Sequence, residues 1–355
     1  MDEKLDSAIN VAENLWLGED VPPLIVAEIS GNHNGDLQRA LDIIDAVADS
    51  GAGAIKFQTY TADTITLDCD LPRFRISDDH PLWGGKNLHA LYHEAHTPWD
   101  WHEKLFSKAR DRGLIPFSSP FDRTAVDLLE GLEAPMYKIA SLEIGDLDLL
   151  RSVARTGKPV ILSNGAASLE DLGLAVRTIR DEGNDDIVIL CCTSSYPADP
   201  SESNLRGLPV LASMFDVHAG LSDHTQGIGV AVAASALGAR LIEKHVTLSR
   251  ADGGVDAEFS LEPHELQQLV LETRRAWTSL GNPTFMPTAS ETESLRLRRS
   301  LCVVQDVRQG DEVTLENIRS IRPAGGLEPK YLDVVMGRKF RTDVSRGTAL
   351  TWDLI

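Results

Sequence analysis

This sequence of 355 residues is short of positive charge. Lys and Arg total 34 against 54 Asp and Glu, a formal net charge of -20. Binding a phosphate backbone or an anionic membrane surface takes clustered Lys and Arg, so neither nucleic acid nor a membrane is an expected partner. A small anion needs only a few local cations and stays open. Cysteine is scarce: Cys69, Cys191, Cys192 and Cys302 show no zinc-site spacing, and the adjacent pair is poorly placed to bridge itself. Reduced, buried thiols in a cytoplasmic protein are the expectation. No apolar run approaches the ~20 residues of a membrane span. The opening "MDEKLDSAINVAENLW" lacks the basic-then-apolar order of a signal peptide. No Gly-rich dinucleotide fingerprint follows the first strand-like run, which leads into "EISGNHNG".

What the chain does have is alternation. Short apolar runs begin at residues 24, 53, 114, 136, 159, 187, 217 and 241, ending in "LIEKH" at 241–245. Stretches of helical periodicity follow them, such as "LQRALDIIDAVADSG" and "SLEDLGLAVRTIRDEG", several closing on a C-cap glycine. Eight strand–helix units predict a parallel sheet, and eight is the number that closes a (β/α)8 TIM barrel of about 250 residues. An open doubly wound sheet is the competing architecture, disfavoured by the missing fingerprint. The expected division is a barrel over 1–282, a polar, proline-punctuated linker over 283–297 and a small β-rich domain over 298–355.

Polar residues gather where those strands end: Glu28 and Asn32, Lys56 and Gln58, Ser118 and Ser119, Lys138 and Ser141, Ser163 and Asn164, Thr193 to Tyr196, Ser222 to His224, and Lys244 with His245. In a βα barrel these ends converge on one mouth. His224 and His245 close successive strands and Asp256 follows in the next loop, a set suited to Mn²⁺, Zn²⁺ or Fe²⁺. Structural hydrogen bonding is the alternative for the imidazoles, and holding a substrate hydroxyl the alternative for Asp256. Lys56 and Lys138 interrupt apolar strands. Either they pair with a carboxylate such as Glu28 or Glu143, or they face the mouth and bind a phosphate and a carboxylate with the hydroxyls of Ser119, Ser141, Ser163 and Ser222. A Schiff-base lysine is a third reading. "HTPWDWH" reads as a helix entry, with Thr97 capping, Pro98 in the first turn and the aromatics packing.

Taken in order, "AEISGNHNG", "AIKFQTY", "FSSPFD", "YKIASLEI", "CTSSYP", "GLSDHT" and "IEKHVTL" resemble the sialic acid synthase family over nearly the whole chain, and the tail resembles its antifreeze-like (SAF) domain. The resemblance implies condensation of phosphoenolpyruvate with an N-acylated amino sugar, forming a C–C bond with release of phosphate. "LWGGKNLHALYHEAHTPWDWH" and "SIRPAGGLEPKYLDVVMGRKF" look most like the branch that makes pseudaminic acid from 2,4-diacetamido-2,4,6-trideoxy-L-altrose. It implies a divalent metal ion, Mn²⁺ first with Mg²⁺ or Co²⁺ as alternatives, on His224 and His245. Lys56, Ser119, Lys138, Ser141, Ser163, Ser194 and Ser222 match positions around phosphoenolpyruvate. Gln58, Glu143, Tyr196 and Asp256 match positions near the sugar. Glu28 matches a proton-transfer carboxylate, and Lys56, Lys138 and Asp256 join it as expected catalytic groups. Arg322 matches an arginine that reaches into the partner's mouth in a domain-swapped homodimer. Two positions depart from the family pattern: Asn164 stands where Thr is common, and Ser194 where sialic acid synthases carry Asn. A Schiff-base aldolase, a synthase for sialic or legionaminic acid, and a non-catalytic sugar-binding barrel are the competing readings.

Overall fold

The computed structural model describes residues 8–12, 15–78 and 83–355. Leu82, which opens the branch-specific stretch, and residues 1–7 of the acidic N-terminus lie outside the described residues. The chain separates into two compact units, residues 1–281 and 282–355.

The first unit opens with an antiparallel hairpin, β1 (Ile9–Ala12) and β2 (Leu15–Leu17). Eight parallel strands follow: β3 (Leu24–Glu28), β4 (Ala54–Thr59), β5 (Ile115–Pro120), β6 (Tyr137–Ile139), β7 (Val160–Ser163), β8 (Ile187–Cys192), β9 (His218–Asp223) and β10 (Leu241–His245). They close in sequence order, β10 pairing with β3 through Leu241↔Leu24 to His245↔Glu28. All eight anticipated runs are strands, and the TIM barrel is the fold. The open sheet is excluded by this closure.

Local chemistry sets the helix boundaries. The helix after β3, Leu37–Ser50, starts where the Asp36 carboxylate accepts from the Gln38 and Arg39 amides and stops at Gly51, whose φ of 83° only glycine adopts cheaply. Ser168 and Asp171 form a reciprocal capping box on Leu169–Asp181. "HTPWDWH" departs from expectation. A 3-10 turn, Trp99–Trp101, precedes the helix His102–Asp111, and Thr97 caps neither. Thr97 is instead buried with its hydroxyl 3.4 Å from His33 Nε2.

Side chains alternate across each strand. Ile25, Ala27, Ile55, Phe57, Ile139, Leu162, Ile189, Leu221 and Ile242 face the helices in one large core. Leu24, Val26, Ala54, Phe117, Met136, Ile161, Val188 and Leu241 face inward, and Ile9, Val11 and Leu17 of the hairpin pack onto them. Because these inward residues come early in their strands, the hairpin closes the N-terminal end of the barrel. Its short strands carry too few alternating positions to announce this in the sequence. The barrel interior is apolar at that end and polar only at the other.

The second unit holds the antiparallel pair β11 (Ser300–Val303) and β12 (Ile318–Ile321), with isolated bridges such as Val307↔Val344. Leu301, Val303, Ile318, Phe340 and Leu350 bury themselves in a small core of its own. The stretch expected to be a plain linker carries a short helix, Thr292–Arg296. Among the described residues no helix is long and apolar enough to cross a membrane.

Gly220 on β9 shows how tightly the interior is filled. A Cβ there would lie 2.3 Å from the Leu241 carbonyl oxygen and 2.7 Å from Leu190 Cδ2. We predict that Gly220→Ala destabilises the barrel by about 1–3 kcal/mol, read as a lowered urea midpoint.

Candidate active site

The inward alternation continues to the C-terminal strand ends, where the side chains turn polar. Glu28, Lys56, Gln58, Ser119, Lys138 and Ser163 line a cavity of about 380 Å³ from β3 to β7. Ser222, Glu243 and His245 line it from β9 and β10, and Ser141, Glu143, Tyr196, His224 and Asp256 from the segments that follow the strands.

Its floor is a cluster of four buried charges. Glu243 holds Lys138 through Oε1 at 2.8 Å and Lys56 through Oε2 at 2.8 Å. Lys56 also reaches Glu28 Oε2 at 3.0 Å. Ser222 Oγ donates to Glu243 and Gln58 Nε2 to Glu28. Each of the four ionised side chains is at most 3% exposed. Burial opposes every charge, yet the two ammoniums hold Glu243 well below the usual carboxylate range. Glu28 is likewise pulled down against its burial, by His245 and Lys56. Lys56, between two carboxylates, is raised despite burial, whereas burial lowers Lys138, whose only ion-pair partner among the described residues is Glu243. Of the two carboxylates expected to pair with the lysines, Glu28 does so with Lys56, whereas Glu143 pairs with neither among the described residues. Burial pushes the Glu143 carboxyl up to about 7 instead.

The two imidazoles meet beside this cluster, their ring centroids 5.3 Å apart. His224 Nδ1 lies 3.0 Å from the Thr193 carbonyl oxygen, to which it donates, so Nε2 is the nitrogen left for another partner. His245 Nε2 lies 3.1 Å from Glu28, and its buried Nδ1 makes no hydrogen bond. Asp256 Oδ2 is 3.8 Å from that nitrogen. Burial lowers His245 from the ordinary imidazole value, against the pull of Glu28 and Asp256. His224 is raised despite its burial, by the Cys192 thiol and the Thr193 carbonyl. The orphaned His245 nitrogen with the second ring beside it suits a divalent ion, which would displace any proton from the ligating nitrogens. Among the described residues no three His, Cys, Asp or Glu side chains are arranged to hold a metal ion. An ion here would take its remaining donors from substrate or water.

Alternation also removes candidates. Lys244, between Glu243 and His245, points outward, fully buried, and pairs with Asp223 at 2.8 Å. Asp223 in turn accepts from the Thr225 amide and hydroxyl, so the ion pair ties together the outward neighbours of both imidazoles. Ser118 bonds Thr59, Asn164 accepts from the Cys192 amide, and Asn32 bonds Val246 and Ser260; none of the three lines the cavity. Ser194 Oγ lies 3.8 Å from Cys192 Sγ, and of the two Cys192 lines the cavity. Arg322 belongs to the second unit, where it is exposed. Glu243 is the residue that sequence reasoning missed. Its signal was the period-two spacing to His245, which puts both on the inner face.

Residues 43–284 match the NeuB family and residues 298–355 the SAF domain. The chain belongs to the NeuB family. Within it, the chain is 41% identical to the pseudaminic acid synthase of Helicobacter pylori over 334 residues, 94% of this chain and 97% of that protein. It is 39% identical to the pseudaminic acid synthase of Campylobacter jejuni over 331 residues, 93% of this chain and 96% of that one. The crystal structure of the N-acetylneuraminic acid synthetase of Leptospira borgpetersenii, a citrate complex, superposes with a TM-score of 0.72 at 34% identity, covering 82% of this chain and 96% of that one.

In this NeuB-family chain the raised Glu143 carboxyl has a signed consequence. Its folded value of about 7 lies above the ordinary carboxyl value of 4.5, so ionising it costs the folded state more as pH rises between the two and a constant amount beyond. We predict that Glu143→Gln gains about 2–3 kcal/mol on the wild type between roughly pH 5 and pH 8, measured by urea unfolding across that range.

Proposed function

We propose that the chain condenses phosphoenolpyruvate with 2,4-diacetamido-2,4,6-trideoxy-L-altrose, giving pseudaminic acid and inorganic phosphate. The observation that carries the reaction class is the paired ammonium floor: Lys56 and Lys138, both buried, share Glu243 at 2.8 Å beneath a cavity edged by Ser119, Ser141, Ser163 and Ser222. Ser163 Oγ is buried without a hydrogen-bond partner, a donor held ready for an anion. The choice of sugar is supported by likeness to pseudaminic acid synthases at 39–41% identity.

In this reading the lysines and hydroxyls fix the phosphate and carboxylate of the enol substrate, so its methylene carbon faces the sugar aldehyde. His224 and His245 would hold a divalent ion, Mn²⁺ before Mg²⁺ or Co²⁺, and bound there it supplies Lewis-acid polarisation of the aldehyde oxygen. Tyr196 packs on the His224 ring at 4.5 Å and with Asp256 borders the sugar end. The new C–C bond forms from the methylene carbon to the aldehyde carbon, and water then adds at C2. Glu28 is held as a carboxylate and therefore acts as the proton acceptor for that water. The tetrahedral C2 collapses by C–O cleavage, and phosphate leaves.

We further assign the SAF unit to a domain-swapped homodimer in which the Arg322 of each chain completes the sugar end of the partner's cavity. Cytoplasmic action follows from the two soluble substrates.

Phosphate release tests the reading. The expected outcome is release from phosphoenolpyruvate with the trideoxy sugar, loss on chelation, and a drop of at least 100-fold in kcat for His245→Ala. Activity with N-acetylmannosamine alone would overturn the assigned sugar. Borohydride trapping of a lysine adduct, with chelator-insensitive turnover, would favour the aldolase.

A further inference from the structure

The cavity is two-faced, and only one face has been given a task. Opposite the charged floor stands a wall drawn from the long segment between β4 and the helix His102–Asp111. Ile65, Ile76, Trp83, Leu88 and Leu91 line it. Leu88 and Leu91 project from the helix Leu88–Ala95, whose first turn is capped by the Asn87 side chain accepting from the His89 amide. The Trp83 indole N–H donates to the Val255 carbonyl at 3.1 Å, so the ring presents carbon to the cavity. Trp83 also packs on Tyr196 at 6.0 Å, and Tyr196 on His224 at 4.5 Å. Trp83 and Tyr196 therefore carry the lining from this wall to His224 at the reacting end.

A fully hydroxylated sugar laid against these side chains would leave its hydroxyls unpaired, at the usual cost of burying a polar group. Methyl groups gain there by leaving water. We propose that this wall is the specificity element of the site, accepting the methyl-bearing, deoxygenated end of the aldose and disfavouring a hydroxymethyl group in the same place. The inference rests on the condensation proposed above and adds to it the residues that read the sugar. It requires no residue of the charged floor, so the two can be broken apart.

The test compares a 2,4-diacetamido-2,4,6-trideoxy aldose with its 6-hydroxy counterpart at saturating phosphoenolpyruvate. The wild type should favour the deoxy sugar by about 10- to 100-fold in kcat/KM, the range an apolar pocket achieves against an added hydroxyl. Leu88→Asn and Ile76→Asn, both at partly exposed positions, should each cut that ratio at least fivefold. The change should appear as a raised KM for the deoxy sugar, with the KM for phosphoenolpyruvate and the thermal midpoint unchanged. Equal use of both sugars by the wild type would overturn the wall's role, as would an unchanged ratio in both folded variants. No phosphate release with any aldose would overturn the condensation and the wall's role with it. Release without discrimination would overturn the wall alone.

Discussion

Glu243 sits between two ammonium groups, and the rest of the site is arranged around that contact. Four ionised side chains lie almost wholly out of water on the floor of a barrel. Removing one partner from such a set leaves a buried charge uncompensated, which is far costlier than never having had the pair. The cluster is therefore poor as a device for stability. What it provides is a pair of cations with fixed positions, held by a shared carboxylate and able to meet an anionic substrate without reorganising.

The barrel makes this possible by separating its ends. The β1–β2 hairpin and the inward Leu24, Val26, Phe117 and Met136 fill the N-terminal end with apolar side chains, so the polar end is the only inward-facing place left for charge. Between barrel and helices, Lys244 and Asp223 repeat the same device on a smaller scale, one residue along from each imidazole. The wall of the cavity opposite the charged floor comes from a connection far longer than a barrel needs to join β4 to its next strand. Charge, then, is set by the strands, and the shape offered to a second substrate by the loop.

The strands were legible because each is an apolar run ended by polar residues, and all eight of those endings reach the cavity, at Glu28, Lys56, Ser119, Lys138, Ser163, Tyr196, Ser222 and His245. Reading polar endings as blocks was the error. Glu243, Lys244 and His245 are neighbours in sequence, but only the first and third share a face, and Ser118, Asn164 and Asp223 fail for the same reason. Family membership was carried by motif order. The wall was not legible at all, because Ile65, Ile76, Trp83 and Leu88 have no common period and meet only through tertiary folding. Ser194 was a candidate by analogy, and the structure gives its place in the cavity to Cys192.

The central claim is that Glu243 keeps the two floor lysines charged for an anion. Phosphoenolpyruvate affinity measured by calorimetry between about pH 7 and pH 9 tests it most directly, for the wild type and for Glu243→Gln. With Glu243 present, its carboxylate raises Lys56 and opposes the burial that lowers Lys138, so affinity should hold up across that range. Without it, the ammoniums lose their shared counter-charge, a lysine pKa falls, and affinity should drop by about tenfold per pH unit once that proton is lost. Identical, flat profiles for both proteins would contradict the account.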